Sequence, residues 1–159
     1  MRKIIVGFSH STKSFSPFSK LIRIWDGTPY SHVYFQFETT KNKVNMIYQS
    51  SSTMLNYMCK EVFLTKNAIV SEFELEIEDY QYDLIMLHCM KSAGLEYSVA
   101  QIIGMVIADL FNLKTNPFAD EKKYVCSEWV AEQLQIVGYR FKKPLELVTP
   151  KDIHEILSK

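Results

Sequence analysis

Ser31-His32-Val33-Tyr34-Phe35-Gln36-Phe37-Glu38 alternates along its whole length. Val33, Phe35 and Phe37 fall on one side, and His32, Tyr34 and Gln36 on the other. That is the two-residue period of a strand. A polar run over residues 39–43 follows, and residues 44–50 resume with strand character, so the segment predicts a β-hairpin. With the turn centred near Thr40 or Lys41, His32 lies across from residue 49 or 50. Cross-strand neighbours point to the same side of a sheet, so Gln49 is placed to bond a ring nitrogen of His32 and fix its tautomer.

Outward from the hairpin, residues 3–8 form a β-rich run that ends in Ser-His-Ser-Thr. Phe18, Leu21, Ile22 and Trp25 are close to helical spacing, and Asp26-Gly27-Thr28-Pro29 stops that helix. Residues 61–65 and 69–77 read as further strands. Residues 79–93 read as a helix with Gly94 at its C-terminal cap. Residues 98–113 form a second helix. Residues 127–137 form a third, with Val130, Leu134 and Val137 at i, i+4 and i+7 and Gly138 after it. Thr149-Pro150-Lys151-Asp152 has the capping threonine, early proline and acid of a helix start. Strands from the first half and helices from the second predict an α+β fold, an antiparallel sheet packed against helices.

At 159 residues the chain is long enough to bury a real core as one domain, residues 1–159. The formal net charge of +0 leaves no electrostatic footprint for nucleic acid and no polybasic membrane signal. Cys59, Cys89 and Cys126 are odd in number and widely spaced, unlike a disulfide framework. No Cys-x-x-Cys or paired-histidine spacing occurs, so neither a metal nor a cofactor is expected. The N-terminal apolar run is too short for a signal peptide. Residues 99–111, the most apolar later stretch, contain Gln101 and Asp109 and are too short to span a bilayer. The expectation is a cytoplasmic or phage-associated protein without a transmembrane segment.

Cys126 sits where Tyr124-Val125 turns into the third C-terminal helix. A lone cysteine is ordinarily a small buried side chain. At a helix start, however, free N–H groups and the macrodipole favour a thiolate and can hold an oxyanion. A thiol nucleophile wants a base. His10 and His154 read as solvated and His88 as structural, which leaves His32.

Thr28-Pro29-Tyr30-Ser31-His32-Val33, a following hairpin strand, Gly94-Leu95-Glu96-Tyr97 and Tyr124-Val125-Cys126-Ser127-Glu128-Trp129-Val130 occur in that order. Together they resemble the circularly permuted NlpC/P60 group of papain-like hydrolases, the YiiX/YaeF-type amidases. In that group the histidine strand comes first and the cysteine helix late. The resemblance implies a permuted papain-like fold and a cysteine peptidase or amidase. Cys126 would be the nucleophile and His32 the base. Gln49 would take the third position, where many relatives carry Glu. Tyr97 matches a tyrosine that lines the cleft and would contact substrate. Peptidoglycan peptides, or another amide or ester, are the implied substrates.

Glutamine can orient an imidazole but cannot stabilise an imidazolium by charge. Two other readings therefore stand beside the first. One is a lipid acyltransferase or thioesterase like the lecithin:retinol acyltransferases, which share the His-then-Cys order but usually place a second histidine where this chain has Gln49. The other is a binding or structural module with a degenerate site. The expected partner is a peptide, amide or lipid-like small molecule, with specificity in loops at residues 53–60 and 112–123.

Overall fold

The computed structural model of the protein describes residues 1–13, 17–39, 43–50, 53–120 and 122–159. Its centre is an antiparallel sheet of five strands in the order β4-β3-β2-β1-β5. β1 (Arg2–Ser11) lies between β2 (His32–Glu38) and β5 (Asn67–Ile77), and β3 (Asn45–Ser50) and β4 (Leu55–Cys59) extend the other side. The run from Ile4 to Phe8 suits this inner place, because a strand paired on both edges and covered on both faces favours continuous apolar sequence. β5 is an edge. It turns Glu72, Glu74 and Glu76 outward, which discourages pairing with another chain.

The alternation of residues 32–38 sorts the two faces of the sheet. Val33, Phe35 and Phe37 join Ile4, Val6, Phe8 and Tyr48 in the main core. That face is covered by α3 (Asp79–Ser92), α5 (Cys126–Ile136) and α6 (Pro150–Leu157), which contribute Ile85, Trp129, Leu134 and Ile153. On the opposite face Tyr34 and Ile47 pack with Phe63 of α2 (Lys60–Leu64). The α+β architecture is therefore as the sequence predicts.

Two short parallel strands set up the helices that matter for the site. β6 (Glu96–Tyr97) leads through Ser98 into α4 (Val99–Leu110), and β7 (Lys123–Tyr124) leads through Val125 into α5. The Ser98 N–H donates to Tyr124 O at 3.1 Å, so the two helices start side by side. The Ser98 hydroxyl accepts from the Gln101 N–H and caps α4. α1 (Pro17–Asp26) packs against α4 through Ile22, Ile102 and Met105.

Three expectations are corrected. Residues 61–65 are not a strand: Glu61 to Leu64 belong to α2, which buries Phe63 alone and leaves Val62 and Leu64 exposed. One ring wedged under Tyr34 outweighs the strand propensity of its neighbours. Residues 53–60 are not an open loop, because Leu55 to Cys59 pair with β3, with Leu55 and Tyr57 turned to the core and Met58 to the other face. His154 is not solvated: its ring stacks on Tyr30 at 5.1 Å and meets the edges of Phe8 and Phe73.

Candidate active site

Cys126 is the first residue of α5. The cap residue Val125 is extended (φ −97°, ψ 158°) and offers no side-chain cap. The Val125 backbone favours the charged form of the Glu128 carboxyl, three residues on. The first-turn amides of the helix are thus left for other work. The backbone of Val33 in β2, of Ser127 and of Cys126 itself favours the thiolate and works against burial of the sulfur. The thiol is 4% exposed.

His32 opens β2, one residue before Val33. Its Nε2–H donates to Gln49 Oε1 at 2.9 Å, which leaves Nδ1 with its lone pair as the basic nitrogen. The ring lies nearly parallel to Phe63, with centroids 6.4 Å apart. The hairpin register puts Phe35 opposite Tyr48 and Glu38 opposite Asn45. Continued along the strands, this register makes Gln49 a diagonal neighbour of His32 on the same face rather than its direct partner. The expected turn centre at Thr40 or Lys41 lies outside the described residues.

The structure thus brings Cys126, the start of β2 and the His32–Gln49 pair to one end of the sheet. It does not hydrogen-bond the imidazole to the thiol: His32 projects to the Tyr34 face, whereas α5 covers the Val33 face. Tyr97 stands in β6, next to the start of α4. It is half-buried beside Cys126, and the two line a cavity of about 10 Å³, room for about one water, with Ile22, Trp25, Ile102 and Met105. Of the two anticipated specificity loops, described residues 112–120 and 122 stay outside helices and strands, whereas residues 53–60 pass mostly into β4 and α2.

Burial decides the resting charges. It pushes the Cys126 thiol up to about 11, against the lowering effect of the backbone around it, and the nearby Asp26 carboxylate adds to the rise. It pulls the His32 imidazole down to about 4, against the opposing hydrogen bond from Gln49. At neutral pH the site therefore holds a neutral thiol and a neutral imidazole, not the lowered thiol expected from the helix terminus. Desolvation outweighs the macrodipole here because the sulfur is almost fully enclosed.

Asp26 was legible only as part of a helix stop. An acid at a helix C-terminus opposes the macrodipole, and that misfit is the signal in the sequence. The reason lies across the fold: Asp26 Oδ2 accepts the Lys151 N–H at 3.3 Å, at the start of α6. Burial raises its carboxyl pKa.

Acid stability should report the buried imidazole. A depressed folded pKa gives stability that is present above the unfolded value and lost as pH falls. For His32 that window runs from 6.5 down to about 4, and the loss is about 3 kcal/mol. Glu128 has the opposite sign: burial first, then Glu146 and Glu132, lift it from 4.5 to about 7. Its contribution is present at low pH and fades as pH rises, so the two offset each other between about 4.5 and 6.5. Glu128→Gln should expose the His32 slope in urea midpoints, and adding His32→Leu should flatten it. A double variant that keeps the whole slope would mean that folded His32 carries a proton at these pH values.

No protein-family model matches the sequence, and no curated protein is similar to it. Fold and site together define an α+β protein with a cysteine at a helix start and an amide-oriented histidine at the adjoining strand end. Among the described residues, no group of three or more His, Cys, Asp or Glu side chains is placed to hold a metal ion. Among the same residues, no helix is long and apolar enough to cross a membrane.

Proposed function

We propose that the protein is a papain-like cysteine hydrolase that cleaves an amide, or an ester of similar shape, through an acyl-enzyme on Cys126. The observation that carries this reading is the 2.9 Å bond from His32 to Gln49 beside the helix start that bears the thiol. A purely structural histidine has no need of a base nitrogen left free at the strand end nearest a cysteine.

The chemistry follows from the neutral pair. In this reaction substrate binding must first bring the imidazole round from the Tyr34 face to the thiol; His32 Nδ1 then takes the thiol proton as sulfur attacks the substrate carbonyl, so charge separates only in the transition state. The Cys126 and Ser127 amides, in the first turn of α5, are the candidates to hold the oxyanion. The imidazolium then protonates the leaving amine or alcohol, and a thioester remains. Water, deprotonated by the same imidazole, releases the acid and restores the thiol. Gln49 keeps the ring in the tautomer that leaves Nδ1 free. A wall peptide fits this chemistry, as does another amide or an ester of similar shape.

Incubation with a p-nitrophenyl ester of a short acyl chain, quenched in acid and followed by mass spectrometry, tests the reading. The expected result is one acyl adduct on Cys126, with turnover of the ester and neither adduct nor turnover in Cys126→Ala. An intact, folded protein with no adduct across peptide, acyl-amide and ester panels would favour the binding-module reading.

A further inference from the structure

Gln49 is held at both ends of its amide. Its Oε1 accepts the His32 Nε2–H at 2.9 Å, and its Nε2 donates to Met58 Sδ at 3.9 Å, a long and weak bond of the kind a thioether accepts. The three side chains share the Tyr34 face of the sheet, where Met58 packs against Tyr34, Ile47 and Phe63. β4 pairs Met58 with Ile47, which makes Met58 a diagonal neighbour of Gln49. Gln49 is only 5% exposed, so water does not compete freely for either end of the amide. The nearby thioether of Met46 is engaged separately, by the Cys59 thiol, which donates to Met46 Sδ at 3.7 Å.

Two of the three groups in this row could run the other way. A primary amide has a donor end and an acceptor end, and turned about it would offer its NH2 to the imidazole. A neutral imidazole can also accept at Nε2, with its hydrogen moved to Nδ1. The thioether has no such freedom. It has no hydrogen to give, so it attracts the NH2 end of Gln49 and sets its lone pairs against the carbonyl oxygen. Sulfur therefore breaks the symmetry and gives the whole row one direction. Gln49 turns Nε2 to Met58 and Oε1 to His32, His32 keeps its hydrogen on Nε2, and Nδ1 keeps its lone pair.

We infer that Met58 is a positioning residue, whose sulfur orients the Gln49 amide and through it selects the His32 tautomer with a basic Nδ1. The inference rests on the proposed reading of His32 as the base, because that role gives the choice of tautomer its consequence. A ring with its hydrogen on Nδ1 cannot take the thiol proton there, however it is brought to Cys126. Met58 acts on the imidazole at rest, before substrate arrives. Leucine would fill much the same space and leave the amide free to turn.

Long-range proton–nitrogen correlation spectra of the isotope-labelled full chain, recorded where the imidazole is neutral, read the tautomer directly and need no substrate. The chain has 4 histidines, and the His32 signals are those missing from His32→Leu. The parent should show the His32 hydrogen on Nε2. Met58→Leu nearly conserves volume and removes the acceptor, and a thermal melt confirms that it folds. It should lower the ratio of Nε2–H to Nδ1–H tautomer by about fivefold, the worth of one modest hydrogen bond. In a Gln49→Glu background the carboxylate accepts at either oxygen, so Met58→Leu should leave the tautomer unchanged. Three results overturn the inference: a parent with the His32 hydrogen on Nδ1, an unchanged ratio in Met58→Leu, or an equal shift in the Gln49→Glu background, which would mean that residue 58 acts on the ring by packing. Acylation of Cys126 succeeds or fails independently of these spectra, so failure of the hydrolase reading and failure of this inference are distinguishable.

Discussion

Iodoacetamide is expected to alkylate Cys126 about 300-fold more slowly at pH 7 than it alkylates an unperturbed thiol, because the thiolate fraction falls tenfold for each unit between about 8.5 and the buried value. That buried value is about 11, and burial is its largest cause. The rate should climb steadily with pH and level off only toward that value. His32→Ala should change this profile little, since the imidazole is neutral and not bonded to the thiol at rest. Turnover of a substrate should behave differently. Cys126→Ala should abolish it, and His32→Ala should lower kcat/KM by about a hundredfold to ten-thousandfold, the usual worth of a positioned general base. Slow alkylation with fast acylation is the signature of a pair that ionises only during attack. Rapid alkylation at pH 7 with an inflection well below 8, lost in His32→Ala, would instead establish a preformed thiolate–imidazolium pair and overturn the neutral assignment. The test resolves Cys126 from the other thiols by peptide mapping. Cys89 is fully buried and pushed up to about 12, chiefly by burial, and Cys59 is more accessible.

The parts of this fold that were legible in the sequence are those with a local cause. The strand at residues 32–38 announces itself because each side chain meets a different environment from its neighbour. Thr149 announces a helix start because a cap is a bond within four residues, and that cap is made. The failures have distant causes. Phe63 makes a helix of residues that favour a strand because Tyr34, far away in sequence, needs a ring beneath it. His154 looked solvated on its charged helix, yet Phe8, Tyr30 and Phe73 from three other segments enclose it. The candidate site divides in the same way. The side on which Gln49 stands follows from the two-residue period, but the diagonal register and the charge of the site do not. Ionisation depends on how much water the fold excludes, and helix position alone pointed to a lowered thiol where burial produces a raised one.

Gly7→Ala is expected to destabilise the protein by about 3 kcal/mol, the upper range for forcing a methyl group into a packed core. A Cβ built on Gly7 falls 2.1 Å from Tyr34 Cζ and 2.4 Å from Cε2 and Oη, well inside van der Waals contact. The backbone is not the obstacle, since Gly7 is not among the residues with positive φ. The obstacle is that neither partner can retreat. β1 is bonded on both edges, with Gly7 opposite Tyr34 on one side and Glu72 on the other. Tyr34 is fully buried, packs on Phe63 at 4.9 Å, and donates its hydroxyl hydrogen to Glu72 Oε1 at 2.9 Å. Displacing the ring would push it into the space between Phe63 and His32, the two rings it already flanks. The same substitution should therefore loosen the His32–Gln49 bond, and with it any catalysis, before the sheet itself melts. Tyr34→Val alone should also destabilise, by leaving a cavity over Gly7. In the double variant the new methyl group occupies part of that cavity, so the two losses should fall short of their sum by about 2 kcal/mol. Urea unfolding of the four proteins measures that coupling directly. Additive losses would show that Gly7 is fixed by something other than the ring above it.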